Sequence, residues 1–173
     1  MRWGRVAALL VALGPVAGCG SQGVSVSGSE AADRADCRFP EPMTTLLKSN
    51  PTRAVAACRH LAEQGDPAGE ARLGYLYQAG LGVSQDFAAA AQWYRLAAGH
   101  GNVAAQNNLG SLYLQGQGVP ADPVQAAAWF SLAAAQGNED AARNHAAVVK
   151  QLTPAQAAEA ENLAKVLVPP PAP

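Results

Sequence analysis

Three thiols, three imidazoles and two regularly spaced aspartates are the side chains here whose chemistry could exceed a structural role. Cys19, Cys37 and Cys58 offer acyl-acceptor or disulfide chemistry. His60, His100 and His145 could ligate a metal or carry protons, but no two stand at H-x-x-x-H spacing. They read as solvated or loop histidines. Asp86 and Asp122 lie 36 residues apart, each opening a helical stretch, so helix capping accounts for both. The turns Gly80-Leu81-Gly82-Val83 and Gly116-Gln117-Gly118-Val119 follow helices rather than strands. They also lack the third Gly and the Lys of phosphate-binding loops. Neither G-x-S-x-G nor S-x-x-K occurs. With no nucleophile–base constellation, the sequence predicts a protein that is not an enzyme and takes no cofactor and no metal.

Cys19 is the reactive residue with a legible context. Arg2 and Arg5 precede an apolar stretch from Val6 to Ala17, too short to span a bilayer but of signal-peptide length. The run Val16-Ala17-Gly18-Cys19 resembles a bacterial lipobox. That resemblance implies removal of residues 1–18 and lipidation of Cys19, with palmitate among the acyl chains. Several chains make a stable anchor where one would be marginal. Gly20, rather than the Asp that retains lipoproteins at the inner membrane, implies the periplasmic face of the outer membrane. Residues 19–36, rich in Gly and Ser, are expected to be a flexible tether.

Composition limits what can be tethered. Of 173 residues 39 are Ala, and charged residues make up 14%. A formal charge of −1 argues against a nucleic-acid partner, which would need a basic stripe. So much Ala with ten aromatics argues against a β-sandwich and for closely packed helices.

Setting residues 65–100 above 101–136 gives 16 identities in 36 positions without a gap. A fixed period of this size marks a solenoid. Each unit reads as a helix A, opening at Pro67 or after Asn102, and a helix B, opening after Asp86 or Asp122. Gly80 and Gly116 end the A helices. Trp93 and Trp129, with Tyr94 and Phe130, are large side chains set against repeated alanines. Counting back one period, Pro51–Gln64 becomes the B helix of a degenerate unit spanning 37–64. Counting forward, 139–151 becomes a third A helix. Thr153-Pro154-Ala155-Gln156 forms a capping box for the last helix, so residues 137–167 read as a capping helix pair. The Pro-rich residues 168–173 are expected to be an extended tail.

The pattern L-G-x-L-Y-x-x-G-x-G-V-x-x-D, then A-A-x-W-[YF]-x-L-A-A-x-x-G, resembles the Sel-one-like repeat (SLR) family, relatives of the tetratricopeptide repeats. The resemblance implies an all-α fold, an α/α solenoid of antiparallel helix pairs wound as a right-handed superhelix. It also implies a protein partner bound on the concave face lined by the A helices. By register Cys37 falls on Leu73 and Leu109, and Cys58 on Tyr94 and Phe130, all core positions. Two cysteines left over in an exported chain predict a disulfide between Cys37 and Cys58.

Taking Leu76 as the direction of the core, positions one period apart on the outward face vary while the scaffold repeats. This predicts partner contacts at Tyr75, Gln78, Asn107, Ser111, Leu114, Arg143 and Lys150, with Arg143 and Lys150 suited to a carboxylate. Three readings follow, one of them a purely structural envelope protein with no defined partner. The first is a lipid-anchored periplasmic scaffold binding a protein. The second, implied by cysteine-rich relatives, is a protein that binds or hydrolyses cell-wall material, peptidoglycan or β-lactams.

Overall fold

The computed structural model describes residues 28–37 and 48–167. The expected signal peptide, Cys19, the start of the expected tether, residues 38–47 and the Pro-rich residues 168–173 lie outside these. Among the described residues there are eight helices and no strand: α1 (Gly28–Asp36), α2 (Pro51–Glu63), α3 (Pro67–Ala79), α4 (Phe87–Gly99), α5 (Val103–Gln115), α6 (Pro123–Ala135), α7 (Glu139–Val149) and α8 (Pro154–Leu167). None is long and apolar enough to cross a membrane.

Local chemistry sets the helix ends. The Asp66 carboxylate accepts from the Ala68 and Gly69 amides at 2.9 Å, and Pro67 fills the first turn. Asn102 and Asn138 cap α5 and α7 the same way, and Asp86 and Asp122 cap α4 and α6. Gly80 and Gly116 end α3 and α5 at φ of 67° and 66°, a region that costs glycine nothing. The carboxylates of Asp86 and Asp122 are therefore occupied by backbone amides.

Within a unit, helix pairs close on glycine. The Tyr94 ring of α4 lies on Gly74 of α3, where an added Cβ would sit 2.8 Å from Cδ1. Phe130 of α6 lies on Gly110 of α5 in the same way. Between units, the turn after each A helix seats on the start of the preceding B helix. A Cβ on Gly118 would lie 2.2 Å from the Phe87 carbonyl carbon, and one on Gly82 would lie 2.9 Å from Val55 Cγ2. The Arg59 guanidinium donates to the Tyr77 hydroxyl at 3.0 Å, and Arg95 to Tyr113 at the same distance. Thus α2 stands to α3 as α4 stands to α5: it is the B helix of a first, incomplete unit.

In that unit a disulfide joins Cys37 to Cys58, both fully buried, with their Cα atoms 5.0 Å apart. Cys58 occupies the position that Tyr94 and Phe130 hold elsewhere. A covalent link stands where the other units lay a ring on glycine.

Two expectations need correction. Residues 28–36 are not flexible tether but helix α1, packed on α2. Its described side chains bury little, so polar pairs and the neighbouring disulfide hold it: Asp36 accepts from Arg53 Nε at 2.7 Å, and Asp33 pairs with His60. The C-terminal helices are not an A/B pair either. The capping box forms, with Thr153 N–H donating to Gln156 Oε1 at 3.0 Å and Gln156 N–H to Thr153 Oγ1 at 3.3 Å. Yet α8 packs on α6 rather than on α7, burying Ala160 and Ala164 beside Ala126–Ala128 and Phe130. The shortened link lacks the Gly-x-Gly-Val turn that folds a B helix back onto its A helix.

Candidate functional site

The A helices and α1 share a face with two adjoining grooves. One, of about 370 Å³, is lined by Ala68, Ala71, Arg72, Tyr75, Asn102, Ala104 and Asn108. The other, of about 360 Å³, runs between α1, the end of α2 and α3; Arg34, Asp66, Ala68 and Arg72 are among its lining residues. Ala68 and Arg72 border both, so the two form one trough crossing α1, α3 and α5. Ala31, Ala35, Ala68, Ala71 and Ala104 keep it open, because their methyl groups are too small to fill the space between helices. Each volume is in the range of small ligand pockets.

The predicted contact residues fare differently. Tyr75 lines the trough and is 38% exposed. Asn107 and Ser111 lie farther along α5, both half-buried. The Asn107 carbonyl oxygen of the amide accepts from Asn144 Nδ2 on α7 at 3.2 Å, and the Ser111 hydroxyl donates to the Asn107 backbone carbonyl. Leu114 and Lys150 are exposed near the ends of α5 and α7.

Gln78 is turned inward: its Oε1 accepts the Tyr94 hydroxyl at 2.7 Å. Burial pushes the Tyr94 phenol above the ordinary tyrosine range, Asn108 opposes the shift through a hydrogen bond, and Tyr75 adds to it. Arg143 is exposed but paired with Asp140 and Glu139 on its own helix, which offsets the cationic end that its sequence position suggested.

Arg72, Asn108 and Arg34 also line the grooves and are not among the predicted contact residues. The buried face of α3 comprises Gly69, Glu70, Leu73, Gly74 and Leu76, so its centre is displaced from Leu76. The repeat alignment places Arg72, Asn108 and Asn144 in one polar row.

Two histidines are not merely solvated. His100 Nδ1 lies 2.9 Å from Glu70 Oε2, and the Glu70 side chain is only 3% exposed. One repeat later, Gln106 and Gln136 occupy the same two positions, with Gln136 Nε2 donating to Gln106 Oε1 at 2.8 Å. His60 pairs with Asp33, and His145 is half-buried on α7. Among the described residues no group of three His, Cys, Asp or Glu is placed to hold a metal ion.

Comparison with known proteins fits this geometry. The Sel1 repeat matches twice, at residues 67–102 and 103–138, the two units with complete helix pairs. No curated protein sequence matches the chain. Among solved structures, a Sel1 repeat protein from Oxalobacter formigenes is 35% identical, with a TM-score of 0.57, covering 70% of this chain and 87% of that one. A protective antigen present in uropathogenic Escherichia coli strains, displaying an SLR fold, is 38% identical with a TM-score of 0.66 over 67% of this chain. The chain spans a quarter (25%) of that antigen's length.

Proposed function

The chain belongs to the Sel1 repeat family, and from that premise we propose that it is a lipid-anchored scaffold of the bacterial cell envelope, holding a protein partner in the trough of its A-helix face. The trough carries this reading. Its floor is alanine, its walls are Arg, Asn and Tyr, and its wall positions change from repeat to repeat (Arg72 to Asn108, Tyr75 to Ser111) while Leu73, Gly74 and Leu76 recur as Leu109, Gly110 and Leu112. A conserved frame with a variable face suits recognition of one partner. The site assembles hydrogen-bonding and apolar contacts without a nucleophile beside a base, so binding rather than turnover is its chemistry.

Anchoring rests on the lipobox-like residues Val16 to Cys19 and on Gly20, which favour the periplasmic face of the outer membrane. Cys19→Ala is expected to abolish incorporation of labelled palmitate and move the protein out of the membrane fraction. For the trough, Ala104→Trp fills the space between α3 and α5. Complexes co-purified after mild crosslinking should be lost with Ala104→Trp and kept with Gln92→Trp, at an exposed position of α4. Equal retention of complexes by both variants would overturn the proposed binding face.

A further inference from the structure

The direction of α1 fixes where the chain before it leaves the body. Asp33 meets His60 near the end of α2, and Asp36 meets Arg53 near its start, so α1 runs antiparallel to α2. Arg34 lies 3.8 Å from Asp66, the cap of α3. The helical rise puts Gly28 about 8 Å beyond Asp33, level with the turn from α2 to α3. The turns at Gly101 and Gly137 share that edge, whereas those at Gly80 and Gly116 lie on the opposite one. What holds α1 in place is narrow. Ala31, Ala32, Arg34 and Ala35 are exposed, and among residues 31–37 Cys37 alone is fully buried. The basic partners of Asp33 and Asp36 are about half-exposed, so those pairs contribute little. A helix of 9 residues is marginal by itself. The Cys37–Cys58 link is therefore the chief restraint on α1.

Resting on the reading of Cys19 as the lipidated residue, we propose that α1, locked by the Cys37–Cys58 disulfide, is a clasp that sets how far the solenoid reaches from the membrane. With the link closed, only residues 20–27 separate the acylated cysteine from the body, a span of at most about 30 Å. With α1 released, the connection runs on to Pro51 and its limit rises to about 100 Å. The root-mean-square reach of such a coil roughly doubles. The clasped body is thus held at the leaflet, with the edge that carries Gly65, Gly101 and Gly137 toward it. The trough crosses α1 and α3, and α3 is about 20 Å long, so a partner meets it within about 50 Å of the leaflet.

The test uses the full chain purified from membranes and placed in vesicles of phosphatidylethanolamine and phosphatidylglycerol that carry a fluorescent acceptor lipid. A donor dye is attached through an azide-bearing residue at Gly99, on the near edge with open space beside it, or at exposed Ser84, on the far edge. In the oxidised protein, energy transfer should be stronger from Gly99 than from Ser84. Reduction by a phosphine, or Cys37→Ser with Cys58→Ser, should lower transfer from Gly99 as a roughly doubled reach requires, while the melting transition of the body persists. Inserting about 20 Gly and Ser residues before Gly28 should lower it similarly with the disulfide intact, which calibrates the distance. Transfer that responds to the insert but not to loss of the disulfide would overturn the clasp. Loss of the body's melting transition on reduction would overturn it too, since the link would then support the whole fold. Equal transfer from Gly99 and Ser84 would overturn the orientation. A chain without acyl groups, or one that does not bind vesicles, would overturn the anchor reading and the clasp with it.

Discussion

The Tyr94 hydroxyl donates to Gln78 Oε1 at 2.7 Å, and the next repeat has replaced both partners, with Phe130 in place of Tyr94 and Leu114 in place of Gln78. Hydroxyl and amide are present together or absent together. Removing only the acceptor strands a buried hydroxyl, whereas removing both copies a solution the protein already uses. Gln78→Leu should therefore cost about 1 kcal/mol, softened by the remaining contact with Asn108. Tyr94→Phe with Gln78→Leu should recover much of it. Denaturant unfolding of the two single variants and the double variant measures the coupling. Strict additivity would contradict the pairing.

The same tyrosine predicts a pH effect. The folded phenol keeps its proton to higher pH than the unfolded one, because burial disfavours the phenolate. Its contribution to stability is complete below the ordinary tyrosine value of about 10 and is lost as pH rises above it. Stability of the wild type should fall more steeply above that point than stability of Tyr94→Phe. Parallel curves for the two proteins would show that Tyr94 titrates normally.

A second paired exchange concerns charge. Glu70 with His100 becomes Gln106 with Gln136 one repeat later. His100→Ala leaves a buried carboxylate without its partner and should destabilise by about 2 kcal/mol or more. Glu70→Gln with His100→Gln reproduces the neighbouring unit and should lose less than either single change. Thermal unfolding at neutral pH distinguishes the two cases. A double variant less stable than both singles would contradict the equivalence of the two pairs.

Glycines differ sharply in what they tolerate. Gly118 has φ of 71° and no room beside the Phe87 carbonyl, so Gly118→Ala must displace a turn from the preceding unit. Its loss should exceed about 2 kcal/mol. Gly99 ends α4 with no atom within 4 Å of an added Cβ. Gly99→Ala should be neutral or stabilising by up to about 1 kcal/mol. Melting temperatures of the two variants moving in the same direction would refute the seating of one turn on the next helix.

The helix ends and the repeat were legible because their causes are local. Asp66, Asn102 and Gly80 act within a turn of where they stand. Helix α1 was not legible: Gly28–Asp36 carries no apolar side chain larger than alanine, and its partners Arg53 and His60 lie 17 and 27 residues from Asp36 and Asp33. The packing of α8 on α6 was hidden for a similar reason, since its capping box specifies where the helix begins but not which neighbour it meets. On the A-helix face, apolar periodicity pointed slightly astray. Gly69 and Gly74 are buried without a side chain to announce it, and Glu70 and Gln106 are buried although polar. With the buried face displaced from Leu76, the predicted row includes Tyr75, which lines the trough, but not Arg72 and Asn108, which line it too. Gln78 was read as facing outward because its partner, Tyr94, lies on the other helix.

The central claim is that the A-helix face holds a protein. Site-specific photo-crosslinking in cells tests it most directly, with a photoreactive residue placed singly at Tyr75, Ser111 or Ala104 and, as control, at Gln92 on α4. The account predicts one discrete protein adduct shared by the A-helix positions and absent at Gln92. An adduct formed from Gln92 alone, or none from any A-helix position, would contradict it.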